Sequence, residues 1–210
     1  MAEIALLPAA SSEDGVLVAR VCDLVNSAYV LAEQGMWHAG VARTTVAETV
    51  EAISRGEVVA ARRHGQLVGA IRSRQLNPGT GWFGALAVDG AHGGKGVGAQ
   101  LVAFAEAQAR SSGATTMQLE LLVPVHAHPH TERLAAWYAR LGYREARRCG
   151  LAEVEPDAVP FAAVALEVAV MHKQLASGLG SRAVDAEASA GACRLPDPRK
   201  RGRLTPHAEG

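Results

Sequence analysis

The stretch from Trp82 to Val123 constrains the fold more than any other part of the chain. It reads "WFGALAV", then "DGAHGGKG", then "VGAQLVAFAEAQARSSGA", then "TTMQLELLV". Two apolar runs of strand character enclose a helical face made by Val97, Leu101, Phe104 and Ala105. Gly113 stands where a C-cap glycine would end that helix. A strand, a crossover helix and a second strand place the two strands parallel and side by side. The chain therefore contains a sheet with at least one parallel pair. Five glycines lie between Gly90 and Gly98, at the point where the first strand gives way to the helix.

The flanking segments predict the rest of that sheet. "EIALLPA" reads as a first strand. Val18, Val21, Val25, Ala28 and Leu31 keep helical spacing between Ser12 and Gln34. Thr45 and Glu48 form a capping box before a short helix, with Val46, Val50 and Ile53 on one side. "EVVAARR" and "QLVGAIRSRQL" flank His64-Gly65, a hairpin turn signal, and "NPGTG" is another turn. A helix is predicted from about Thr131 to Leu141, stopped by Gly142, and "YREARRC" and "FAAVALEVAVMHKQL" read as closing strands. The order β-α-α-β-β-β-α-β-α-β-β predicts a mixed α/β sheet, mostly antiparallel, flanked by helices. Residues 1–176 form one domain on this reading. Residues 177–210, rich in Gly, Ala, Pro and Arg, are too poor in large apolar side chains to offset their ordering entropy. They are expected to be a disordered tail, with Arg199, Lys200, Arg201 and Arg203 as a solvated charge run.

Composition narrows the partners. Lys and Arg number 21 and so do Asp and Glu, so no global charge calls for nucleic acid or a membrane surface. No apolar stretch approaches the ~20 residues that cross a bilayer, and the first residues lack the basic start of a signal peptide. Cys22, Cys149 and Cys193 are far apart and odd in number, which fits a reducing cytoplasm better than a disulfide framework.

Glycine-rich loops that open helices hold phosphates. A Walker loop is excluded because no Lys-Ser or Lys-Thr follows Gly98. A dinucleotide loop would use Gly94, Gly96 and Ala99, with Glu120 about 20 residues on. Against it, the strand ends near Val88, several residues before Gly94, and too few helix units remain for a doubly wound sheet. A plain tight turn is a further reading, although several glycines entering a helix each cost backbone entropy.

"LAVDGAHGGKGVGAQLV" resembles the acetyl-CoA loop of the GNAT superfamily of N-acetyltransferases, whose pattern is [Q/R]-x-x-G-x-[G/A] between strand and helix. A second segment, "AAWYARLGYRE", resembles that superfamily's A-x-x-x-Y-x-x-x-G-F motif near the end of the domain. The likeness covers about residues 3–175 and is strongest from Trp82 to Glu145. It implies a GNAT-like sheet whose parallel pair splays apart, with acetyl-CoA as co-substrate in the gap. Leu86, Ala87 and Val88 would hydrogen-bond the pantetheine arm, and Gly94, Lys95, Gly96, Val97, Gly98 and Ala99 would cradle the pyrophosphate. Gly93 belongs to the same cofactor loop but departs from the pattern, because a Gln or Arg is usual there. A homodimer is compatible with the resemblance.

The resemblance also implies chemistry. In this superfamily an amine attacks the thioester directly, so the enzyme needs a proton acceptor for the amine and an acid for the departing thiolate. Tyr138 matches the tyrosine that protonates the CoA sulfur; as part of the face Leu134, Trp137, Tyr138 and Leu141 it also reads as a core aromatic. Glu120 shares a strand face with Thr116, Gln118 and Leu122, opposite Met117, Leu119, Leu121 and Val123. It is the base candidate, or else a structural carboxylate. Thr131 stands near a CoA-contacting position, or caps its helix. Met36 and Trp37 wall the acceptor pocket, or anchor their loop. His126, His128 and His130 line the acceptor site or face solvent, with His126 the one assigned to the acceptor; Pro129 stiffens their loop and no metal is expected. The implied function is acetyl transfer to a primary amine of a small molecule. A non-catalytic CoA-binding sensor and an NAD-type dinucleotide-binding protein are the alternatives.

Overall fold

The computed structural model describes residues 1–175 and Thr205–Pro206; the rest of the expected tail, with its basic run, lies outside the described residues. The strands are β1 (Glu3–Leu6), β2 (Val41–Ala42), β3 (Val58–Arg63), β4 (Gln66–Asn77), β5 (Thr80–Val88), β6 (Thr116–Pro124), β7 (Arg144–Gly150), β8 (Leu166–Gln174) and β9 (Thr205–Pro206). The helices are α1 (Gly15–Ala32), α2 (Val46–Ser54), α3 (Val97–Ser111), α4 (Pro129–Arg140) and α5 (Leu151–Val154). Seven strands form one sheet in the order β1-β3-β4-β5-β6-β8-β7, and β2 pairs with β9 apart from it. Every neighbour pair in the large sheet is antiparallel except β5 with β6. The mixed sheet with one parallel pair, expected from the crossover, is the observed architecture.

The alternation along the strands sorts the helices to the two faces. Phe83, Met117, Leu119, Ala169 and Met171 point to one face and pack against Val97, Leu101, Val102 and Ala105 of α3 and Tyr138 of α4. Val58, Ala60 and Ala70 point to the other, where Val18 and Val21 of α1 and Ala52 and Ile53 of α2 cover them. Asp14 caps α1, its carboxylate accepting from Val16 N and Leu17 N. By length and composition α1 could cross a membrane, yet Val18, Val21, Cys22 and Val25 are buried in the fold. The Thr45–Glu48 capping box is present in both directions. The buried side of α2 is Thr49, Ala52 and Ile53 rather than the side of Val46, which is exposed.

The end of the domain differs from the sequence reading. The last strand starts at Leu166, not Phe161, because Pro156–Phe161 winds into a 3-10 helix. Ala162 then bridges Trp37, and Ala163 N donates to Met36 O. That segment, with α5, forms a separate apolar cluster of Met36, Cys149, Leu151, Val154, Ala158, Leu166, Val168 and Val170.

Candidate active site

The site begins where the sheet comes apart. β5 and β6 pair only at Thr80–Thr116, Gly81–Met117 and Trp82–Gln118. Beyond Trp82, β5 bulges: its register against β4 slips between Ala70 and Arg72, and Ala85 takes a φ of 48°. A non-glycine residue in the left-handed region is uncommon and strained, and a bulge bends its strand. After the bulge, Ala87 and Val88 rejoin Ala70 and Gly69 of β4. Among the described residues, the edge of this part of β5 that faces β6 has no strand partner. Backbone donors and acceptors on such an edge can take an extended ligand as an added strand. A cleft of about 1090 Å³ opens there, lined by Leu86 and Val88 of β5 and Leu121 and Leu122 of β6, while Ala87 points away into the core.

The glycine loop closes one end of this cleft. Asp89 accepts from Ala91 N and starts a short 3-10 turn, Gly90–His92, that Gly93 ends. Gly94 and Gly96 have φ values of 70° and 78°, which L side chains rarely adopt. Gly96 is the N-cap of α3 and supplies no side-chain bond to the first-turn amides. Those amides and the helix dipole favour an anion at this end. Gly93, Gly94, Gly96, Val97, Gly98 and Ala99 all border the cleft. Lys95 does not: its Nζ donates to Ala91 O at 2.8 Å and braces the loop from outside. A Cβ on Gly93 would stand 3.3 Å from Gly90 O, so the departure from Gln or Arg coincides with a crowded turn. His92, beside it, borders the cleft instead.

At the other end, the cleft meets a smaller chamber of about 100 Å³ between the sheet, α1 and α2. Tyr138, Glu120, Leu86, Leu122, Tyr29 and Arg43 border both spaces. Tyr138 comes from the α3–α4 side of the sheet and Glu120 from the other, so the split in the sheet lets them share one opening. Tyr138 packs on Phe83, Trp137 and Tyr143. Burial pushes its phenol far above the ordinary tyrosine value, and the negative charge that Tyr29 would carry adds to this. The group therefore stays protonated at neutral pH. Glu120 accepts from Trp82 Nε1 at 2.6 Å and Gln118 Nε2 at 2.7 Å.

Arg43 and Tyr29 carried no motif, and their placement is non-local. Asn26 of α1 accepts from Arg43 N and Thr44 N and donates to Thr44 O, which ties the loop before α2 to α1. The Arg43 guanidinium then lies 4.8 Å over the Tyr29 ring and 4.0 Å from Glu33. Burial raises the Glu33 carboxyl pKa, partly countered by Arg43 and by the bond from Trp37 Nε1 at 2.7 Å.

The acceptor-side expectations divide. Met36 is buried and borders the cleft; Trp37 does not border it and is held by Glu33 and the Ala162 bridge. His126 is exposed and lines neither space, whereas His130 borders the cleft. Thr131 is buried, borders the cleft and is not the helix cap. His128 caps α4, its Nδ1 accepting from Thr131 N at 3.2 Å, because Pro129 starts the helix two residues earlier than predicted.

A family model described as the acetyltransferase (GNAT) family matches residues 22–143. No curated protein matches the sequence. Among solved structures, the fold is similar to YncA from Salmonella typhimurium with its cofactor acetyl-CoA, at a TM-score of 0.60 and 15% identity over 88% of this chain and 99% of that one. An aminoglycoside 6'-N-acetyltransferase complexed with coenzyme A gives 0.60 and 20% over 85% and 99%. The ribosomal-protein-alanine N-acetyltransferase of Brucella melitensis gives 0.56 and 17% over 82% and 99%. At these identities the likeness is one of fold.

Proposed function

Because this chain belongs to the GNAT acetyltransferase family, we propose that it transfers the acetyl group of acetyl-CoA to a primary amine of a small molecule, by direct attack in a ternary complex. The observation that carries this reading is the junction of the two spaces, where Tyr138 and Glu120 border both. The long cleft fits acetyl-CoA: the pantetheine arm along Leu86–Val88, and the pyrophosphate against the amides of Gly94–Ala99. The chamber receives the acceptor. The amine nitrogen attacks the thioester carbon, the C–S bond breaks, and the sulfur takes its proton from Tyr138. The proton lost by the amine passes to Glu120. Both groups return to their starting states by exchange with solvent. Thr131 contacts the CoA end of the cleft, and Met36 lines the cleft rather than the acceptor chamber. Buried thiols at Cys22 and Cys149 suit a reducing cytoplasm.

The test has two arms. Acetyl-CoA at about 100 times its Kd should add ~2.7 kcal/mol and raise Tm by ~5–10 °C, while NAD and ATP leave it unchanged. An amine panel, scored by release of the CoA thiol, should then contain an acceptor that turns over. A Tm rise with NAD alone would favour the dinucleotide reading. A rise with acetyl-CoA and no turnover across the panel would favour the sensor reading.

A further inference from the structure

A row of side chains crosses the sheet beside Glu120. The register sets Arg74 of β4 opposite Trp82 of β5, Trp82 opposite Gln118 of β6, and Gln118 opposite His172 of β8. Directly opposed residues share a face, and Glu120, two residues beyond Gln118, shares it too. The row is bonded as well as aligned. The Arg74 guanidinium lies 4.9 Å over the Trp82 ring, and Trp82 Nε1 donates to one Glu120 oxygen. Gln118 Nε2 donates to the other, and His172 Nε2 lies 3.0 Å from Gln118 Oε1.

The donor inventory gives this row a direction. An ionised carboxylate only accepts, so Gln118 must turn its NH₂ to Glu120. Its carbonyl then faces His172, which must carry its proton on Nε2. Burial lowers the His172 pKa; the Glu120 charge works against that shift and Arg147 with it. Arg144, opposite His172 on β7, directs its guanidinium to Ala139 O and Tyr143 O instead. The ring is thus neutral at pH 7 and has one N–H to give. Without that donor the Gln118 amide is free to turn over and set its carbonyl against the carboxylate.

We propose that His172 is a positioning residue, which through Gln118 fixes the Glu120 carboxylate in the orientation that receives the acceptor's proton. The proposal rests on the assignment of Glu120 as base. With the most active amine of the panel, His172→Leu should lower kcat about tenfold and leave the KM for acetyl-CoA within about twofold. His172→Gln, which restores an N–H to the same carbonyl, should recover most of the loss. In a Gln118→Met background, His172→Leu should cost nothing further. Wild-type kcat in His172→Leu, equal losses in the Leu and Gln variants, or losses that multiply independently would each overturn the role. Glu120→Gln separates the two assignments. Full activity there removes the base itself; lost activity there with full activity in His172→Leu removes only the positioning role. Ring ¹⁵N shifts of wild-type protein need no acceptor and no variant. They should show His172 protonated on Nε2 at pH 7, and an Nδ1–H ring would refute the relay.

Discussion

Burial holds the Tyr138 phenol in its protonated form. Its raised pKa keeps the phenol protonated beyond the ordinary tyrosine range, so an alkaline loss of rate near that range should not trace to its ionisation. Tyr138→Phe should lower kcat by about 10²-fold and change the acetyl-CoA Kd little; single-turnover kinetics with isothermal titration would read both. His172 and His130 titrate in the opposite sense to a paired histidine, since burial lowers both pKa values. The unfolded chain then binds more protons near its ordinary value of about 6.5. The stability these residues contribute is present above that pH and lost as pH falls through the folded values. The Tm gap between wild type and His172→Gln should therefore shift in favour of the variant between about pH 7 and 5, read by thermal unfolding. At this scale the places of Tyr138 and Glu120 beside the cleft had sequence signals, a motif for one and strand alternation for the other. Arg43, Tyr29 and Trp82 were not, because Asn26 and the sheet register bring them to the site across long stretches of chain. Of the three loop histidines, which look alike in sequence, His126 was expected at the acceptor; it borders neither space, whereas His130 borders the cleft.

At the level of elements, the glycine loop holds two kinds of glycine. Gly96 needs its left-handed backbone, whereas Gly98 has no positive φ and a Cβ there would meet the Trp137 ring at an ordinary 3.7 Å. Gly96→Ala should cost about 1 kcal/mol of stability and weaken acetyl-CoA binding roughly tenfold by turning the first amides of α3. Gly98→Ala, inside α3 with room for its Cβ, should be no less stable than wild type and up to about 1 kcal/mol more stable, so comparing the two by denaturant titration and calorimetry separates backbone shape from side-chain crowding at the loop. The helices and most strands were readable from periodicity and caps. The bulge in β5 was not, because alanine gives no sign of a positive φ; Ala85 sits inside an otherwise regular apolar run. Nor was the turn after α5 readable, where apolar residues suited to a strand are wound by Pro156 and Pro160 into a 3-10 helix.

At the scale of the whole molecule, the large sheet is two groups of strands, β1-β3-β4-β5 and β6-β8-β7, paired through three residue pairs. The crossover predicted that parallel contact and the family resemblance predicted its splaying; the bulge that shortens it had no signal of its own. A ligand laid along the open edge would add hydrogen bonds to β5 where the strand has lost its neighbour. Acetyl-CoA should therefore slow amide hydrogen exchange at Leu86–Val88 and at the start of α3, with little change in β1 or β7; mass-spectrometric exchange would resolve the segments. The brief contact between β5 and β6 has a mechanical side as well. β1 lies at one margin of the sheet and β8 belongs to the opposite group, so tension applied between the first and last strands of the domain runs across that contact. Among the described residues, three rungs and the packed core around Phe83 and Met117 carry the load there. A filled cleft would act as mortar in that joint, and the force needed to part the domain would report on occupancy.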